Sequence, residues 1–170
     1  MKIILSAILV FLFFQTQAQD ELTTTRVRTG QKVPDFSFSD ENGKTMSISD
    51  YRGKVVMITF FATWCGPCRE ELPHIQKEIY NRYKDNPNFR LLIFGREHSS
   101  DEMNNFKKTQ GFTMPFFADK SRSVYSLFAE KYIPRNFLVE ADGKIVFSET
   151  GFNDEKFSEL KKRIEEYLAK

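Results

Sequence analysis

The stretch Trp64-Cys65-Gly66-Pro67-Cys68 constrains this chain more than any other, because it holds both of its cysteines with two residues between them. The apolar run Val55-Val56-Met57-Ile58-Thr59-Phe60-Phe61 before it has the length and composition of a buried strand. After it, from Arg69 to Tyr83, apolar residues fall at Leu72, Ile75, Ile79 and Tyr83, the spacing of one helix face. The pair therefore sits where a strand ends and a helix begins. At that place unpaired amides and the positive end of the helix dipole favour the thiolate of the first cysteine. Pro67 suits the first helical turn, where its missing N–H costs nothing. The arrangement predicts a thiol–disulfide redox site with Cys65 attacking and Cys68, one turn inside, resolving.

Three other uses of two cysteines compete with this one. A structural disulfide over so short a loop would constrain little of the unfolded chain. Half of a zinc site would need partners, and only His74 and His98 are available to complete it. Attachment of c-type haem needs a histidine after the second cysteine, where this chain has Arg69.

The 170 residues suit one domain with a real core. The formal net charge of +2, one unit less without Lys2, gives no basic field for nucleic acid. The 18 phenylalanines argue for a packed globule rather than disorder. Residues 1–18 read as a signal peptide: Lys2 is the positive start, Ile3 to Phe14 an apolar run broken only by Ser6, and Thr16-Gln17-Ala18 a cleavage site. The run is short for a membrane span. Cleavage, with release to the periplasm or another extracytoplasmic space, is the expectation, and tethering through an uncleaved segment the alternative. Export would place the dithiol where disulfides persist.

Gln19 to Gln31 is polar and reads as a flexible lead-in. Val33 to Phe38 and Met46-Ser47-Ile48 alternate around Asn42-Gly43, which predicts a hairpin. Pro73 should kink or restart the active-site helix. Phe89 to Phe94 reads as a core strand. Ser99 to Glu102 is a capping box and Gly111 a helix end, so a helix spans about 100 to 110. Phe112 to Ala118 reads as extended and Ser121 to Lys131 as a further helix. Arg135 to Val139 and Lys144 to Ser148 flank an Asp142-Gly143 turn. The last helix, Asp154 to Ala169, turns Phe157, Leu160, Ile164 and Tyr167 or Leu168 inward. The order predicts an α/β fold, a mixed sheet with helices on both faces.

The segment Phe60-Phe61-Ala62-Thr63-Trp64-Cys65-Gly66-Pro67-Cys68-Arg69-Glu70-Glu71-Leu72-Pro73 resembles the active-site segment of the thioredoxin superfamily. More narrowly, it resembles the extracytoplasmic TlpA/ResA-type thiol–disulfide oxidoreductases, from about Val33 to the C-terminus. The resemblance implies a thioredoxin-like domain over residues 32–170, with an N-terminal β-hairpin and a central insertion between Phe94 and Tyr132. It implies no cofactor beyond a Cys65–Cys68 disulfide, protein disulfides or dithiols as substrates, and a membrane thiol reductant as electron donor. The expected state is a monomer. A role in cytochrome c maturation or in envelope redox homeostasis is compatible with it.

Disulfide exchange also needs a proton acceptor for the second thiol. Thioredoxin has an aspartate six residues before its first cysteine; Thr59 stands there in this chain and cannot titrate. TlpA/ResA-type proteins resemble another solution, a glutamate after the next strand, which here implies Glu97 as a buried carboxylate of raised pKa. Arg96 is one residue more than the usual pattern has at that point. Tyr132-Ile133-Pro134 matches the superfamily's cis-proline loop, so Ile133 and Pro134, with Trp64, Gly66 and Pro67, are the implied substrate-binding residues. Glu70 and Glu71 read as first-turn helix residues without a catalytic role. His74 reads as a helix-surface residue and His98 as a loop histidine. Two other functions stay open: a thiol peroxidase of the peroxiredoxin type, although Thr63 is one residue too close to Cys65, and a non-enzymatic metal-handling module.

Overall fold

Alternation along β3 (Val55–Phe61) divides the core in two. A computed structural model describes residues 23–170; the expected leader and the first part of the lead-in lie outside the described residues. Val55, Met57 and Phe61 enter one apolar layer, and Val56, Ile58 and Phe60 the other. All seven positions of β3 are buried, which is why the run carries no strand-like polar alternation. β3 lies at the centre of a five-stranded sheet of order β5-β4-β3-β6-β7. β4 (Phe89–Arg96) and β5 (Phe116–Asp119) run parallel to it. β6 (Arg135–Val139) and β7 (Ile145–Thr150) complete the sheet as an antiparallel hairpin. β1 (Ser37–Ser39) and β2 (Thr45–Ser47) form a separate two-stranded hairpin. This is the mixed, thioredoxin-like α/β arrangement with an N-terminal hairpin.

On one face of the sheet lie α1 (Gly66–His74), α2 (Ser100–Gln110) and α4 (Asp154–Leu168). Leu72 and Ile75, Met103, and Phe157, Leu160 and Ile164 bring them into the Met57 layer. Pro73 does not end α1. It has no N–H to return to the preceding turn, and the helix passes through a π-helical stretch, Ile75–Tyr80, before a last turn, Asn81–Tyr83. The other face is covered by the N-terminal hairpin, through Phe36 and Phe38, and by α3 (Tyr125–Phe128).

Two segments differ from the sequence expectation, for one shared reason. The helix read over Ser121 to Lys131 is only the four residues of α3. The lead-in read as flexible is laid against the body from Thr24 onward. Ala129 leaves the helix in an extended conformation and bridges Thr25, while Arg26 N–H donates to Phe128 O at 2.8 Å and Glu130 N–H to Thr24 O at 2.9 Å. Val27 is buried beside them. Backbone pairing with the lead-in replaces the helical bonds that residues 129–131 would otherwise need.

Candidate active site

Cys65 is the N-cap of α1, and its Sγ accepts from Cys68 N–H at 3.3 Å. The two cysteines form a disulfide across the first helical turn. Cys68 is wholly buried and Cys65 shows 6% of its surface, so the edge facing solvent belongs to Cys65. Its Sγ lies 3.7 Å from the carbonyl oxygen of Ile133. The Ile133–Pro134 bond is cis. Trp64, Cys65, Gly66, Pro67 and Ile133 all line one open groove of about 640 Å³. Trp64 is 62% exposed at its rim. The structure thus gathers these residues on one surface, with Pro134 behind Ile133.

The buried carboxyl on the cysteine-bearing helix is not the one expected. Glu71, three residues after Cys68 on α1, is buried to 2% exposure. Its Oε1 accepts from Asn136 Nδ2 at 2.6 Å, and Asn136 Oδ1 accepts from Thr59 Oγ1 at 2.8 Å. Thr59 and Asn136 are register partners on β3 and β6, so the sheet fixes this short chain of hydrogen bonds. Burial pushes the Glu71 carboxyl up to about 8, against the opposing pull of the Asn136 hydrogen bond. A carboxyl in that range is neutral at pH 7 and lies close to the ordinary thiol range, so it can exchange a proton with a thiol at little cost.

Glu97 is not buried. Its side chain is 43% exposed, 3.4 Å from Arg96 Nη2 and 3.7 Å from Arg122 Nη1. β4 runs on through Arg96, and Glu97 then turns with φ of 68°, which carries its carboxylate out between the two arginines. The extra residue after Gly95 thus places the acid on the surface and not under the cysteines. A sign of Glu71 was present in the sequence. Cys68, Glu71, Leu72, Ile75 and Ile79 share one helix face, and four of those five are the residues expected to be buried.

His98 is likewise more than a loop residue. It is 5% exposed, and its Nε2 accepts from the backbone N–H of Thr63 at 3.0 Å, two residues before Cys65. That bond places the ring proton on Nδ1, which is buried without a hydrogen-bond partner and 3.6 Å from Glu102 Oε1. The imidazole ties the end of β4 to the strand–helix junction. His74 lies on the helix surface, 3.0 Å from Glu78. Among the described residues, no group of three or more His, Cys, Asp or Glu side chains is placed to hold a metal ion.

The chain matches the Redoxin family over residues 28–164. The thiol-disulfide oxidoreductase ResA of Bacillus subtilis is 31% identical over 125 residues, which cover 74% of this chain and 69% of the relative. ResA of Bacillus cereus is 28% identical over 168 residues, 99% of this chain and 91% of that one. A solution structure from Bacteroides thetaiotaomicron, described as a candidate protein disulfide isomerase, superposes with a TM-score of 0.82 at 37% identity, over 86% of this chain and 94% of that one.

Proposed function

We propose that this chain, which belongs to the Redoxin family and is a TlpA/ResA-type thiol–disulfide oxidoreductase of the thioredoxin superfamily, works outside the cytoplasm as a reductant of protein disulfides. The observation that carries this reading is the position of the Cys65–Cys68 disulfide, at the start of α1 and open to the groove through Cys65, with the buried Glu71 three residues on from Cys68 along the same helix.

In the reducing direction the Cys65 thiolate attacks one sulfur of a substrate disulfide. A mixed disulfide forms and the other substrate sulfur leaves as a thiolate. The amides at the start of α1 and the Cys68 N–H stabilise the attacking thiolate, the latter along the bond seen in the oxidised state. Cys68 then attacks Cys65 Sγ. The substrate leaves fully reduced, and the Cys65–Cys68 disulfide closes. The Cys68 proton has to go somewhere within a dry interior, and the Glu71 carboxylate takes it. A pKa of about 8 leaves a minority of Glu71 ionised at pH 7 to take that proton, a fraction that grows as pH rises, and lets the group keep the proton once the disulfide has closed. The Ile133 carbonyl at the groove edge gives an extended substrate a backbone acceptor beside the attacking sulfur of Cys65.

The apolar run from Ile3 to Phe14 supports export, with residues 1–18 removed. A monomer charged by a membrane thiol reductant, acting in cytochrome c maturation or in envelope redox homeostasis, fits a reductant in that compartment. The test is the potential of the Cys65–Cys68 couple, measured with trapping by Cys68→Ser. A reductant has a potential near that of thioredoxin, about −270 mV, and the variant accumulates mixed disulfides through Cys65 with exported proteins. A potential near about −120 mV overturns the assigned direction. Failure to trap any protein overturns the substrate assignment.

A further inference from the structure

We infer that the groove beside Cys65 selects protein segments in which acidic residues flank the disulfide cysteine; this rests on the reading of that groove as the substrate site.

Three cations line the groove with Trp64 and Cys65: Arg96, Arg122 and Lys131. Two of them are held rigidly. The Arg96 guanidinium lies 5.3 Å from the Trp64 ring centroid and 5.2 Å from that of Tyr125, and the Arg122 guanidinium lies 5.2 Å from Tyr125. Tyr125 is itself fully buried, and its hydroxyl donates to Tyr132 O at 2.8 Å. Arg122 Nη2 donates to Glu130 O at 2.6 Å. Stacking on a fixed ring pre-organises the guanidinium and lowers the entropy lost when it binds an anion.

The backbone is shaped for the same surface. Among the described residues, the non-glycine residues with positive φ are Glu97 at 68°, Arg122 at 60° and Tyr132 at 68°. All three border this one region: Arg122 and Tyr132 line the groove, and Glu97 lies between Arg96 and Arg122. The carbonyl of Asp119 accepts from both Glu97 N–H and Arg122 N–H at 3.0 Å, so one buried residue holds both turns. Such conformations cost free energy and persist where the surrounding structure imposes them.

The local carboxylates leave these cations undersaturated. Glu130 pairs with Arg26 at 2.9 Å. Glu97 reaches Arg96 and Arg122 only at 3.4 and 3.7 Å, beyond the about 2.7–2.9 Å of a charge-assisted hydrogen bond. Nε of Arg96 and Nε of Arg122 are buried without an acceptor. Counting Arg26, Arg96, Arg122 and Lys131 against Glu97 and Glu130, the region carries two positive charges in excess. A substrate carboxylate can displace Glu97 from between the arginines while the neighbouring backbone lies along Ile133.

The test uses three disulfide-bonded peptides that differ only beside the cysteine, with Asp, Ser or Lys there, and the reduced protein in low salt. The second-order rate constant for single-turnover reduction of the Asp peptide should exceed that for the Lys peptide by about fivefold or more, as a few exposed charge pairs allow. The ratio should fall towards one in about 0.5 M salt, and also in Arg122→Gln and Lys131→Gln. Lys131→Gln changes an exposed side chain, so its result stands even if Arg122→Gln folds poorly. Equal rates for the three peptides, or a ratio untouched by both substitutions, overturn this inference alone. Reduction of none of the three overturns the oxidoreductase reading and this inference with it. Oxidised glutathione reduced faster than the Asp peptide assigns the cations to a small disulfide and overturns the protein-substrate assignment.

Discussion

Asn136 Nδ2 donates to Glu71 Oε1 at 2.6 Å, joining the strand beside β3 to the helix that carries both cysteines. The bond partly offsets the burial that drives Glu71 up to about 8. In the unfolded chain this carboxyl ionises near 4.5, and in the folded chain near 8. Between those values the folded state binds the extra proton, so its contribution is complete below pH 4.5 and lost as pH rises towards 8. The slope approaches about 1.4 kcal/mol per pH unit at most. Denaturant unfolding of the oxidised protein at several pH values should show stability falling across this window. Glu71→Gln should flatten the fall, and an unchanged profile would contradict a buried, neutral Glu71.

The same substitution separates the two chemical steps. Glu71→Gln keeps the Asn136 contact but removes the proton acceptor. Attack by Cys65 should stay near the parent rate, because Cys65 opens to the groove. Release of the mixed disulfide by Cys68 should slow by about a hundredfold, the lower range for loss of general base catalysis. Rapid-quench trapping of the mixed disulfide reads both steps. Equal slowing of the two would assign Glu71 to the helix start and not to proton transfer.

Much of this site is legible in the chain, and the exceptions have specific causes. Cys65, Cys68 and the Ile133-Pro134 dipeptide are local signals, each carried by a short motif, and so is the strand–helix frame around them. The helix of Ser100–Gln110 with its Gly111 end is local as well. Glu71 escapes because an acidic residue near a helix start has an ordinary explanation in the dipole, while its burial comes from β6 packing across the helix. Glu97 misleads for the opposite reason: its place in the sequence suits a buried acid, but one left-handed residue turns it outward. The α3 region and the lead-in could not be read separately, since each takes its conformation from the other.

His98 offers a structural test at the nucleophile's approach. Its Nε2 is the acceptor for Thr63 N–H. His98→Leu leaves that amide without a partner in a mostly buried place and should cost about 1–3 kcal/mol by denaturant unfolding. His98→Gln can present a carbonyl oxygen near the same position and should recover part of the loss. If both variants lose equally, the ring's packing near Phe61, at 6.5 Å between centroids, and not its hydrogen bond, carries the stability.

The Asp119 carboxylate gives a graded prediction for the wall that holds Arg122 and Tyr125. Oδ1 accepts from Val124 N–H at 3.1 Å and Ser123 Oγ at 3.2 Å, and Oδ2 accepts from Tyr125 N–H at 2.8 Å. Asp119 is 2% exposed, so water cannot replace what is lost. Asp119→Asn retains one acceptor oxygen and should cost about 1–3 kcal/mol; Asp119→Ala orphans both buried amides and should cost more. Amide hydrogen exchange distinguishes a local from a general effect. Val124 and Tyr125 should exchange faster in both variants, most in Asp119→Ala. Glu97 and Arg122 bond to the Asp119 backbone carbonyl, which the substitutions leave in place, so their amides should stay protected. Loss of protection at all four would mean that the side chain holds the whole rim, turns included, and that the backbone bonds alone are too weak to keep the arginines beside Trp64.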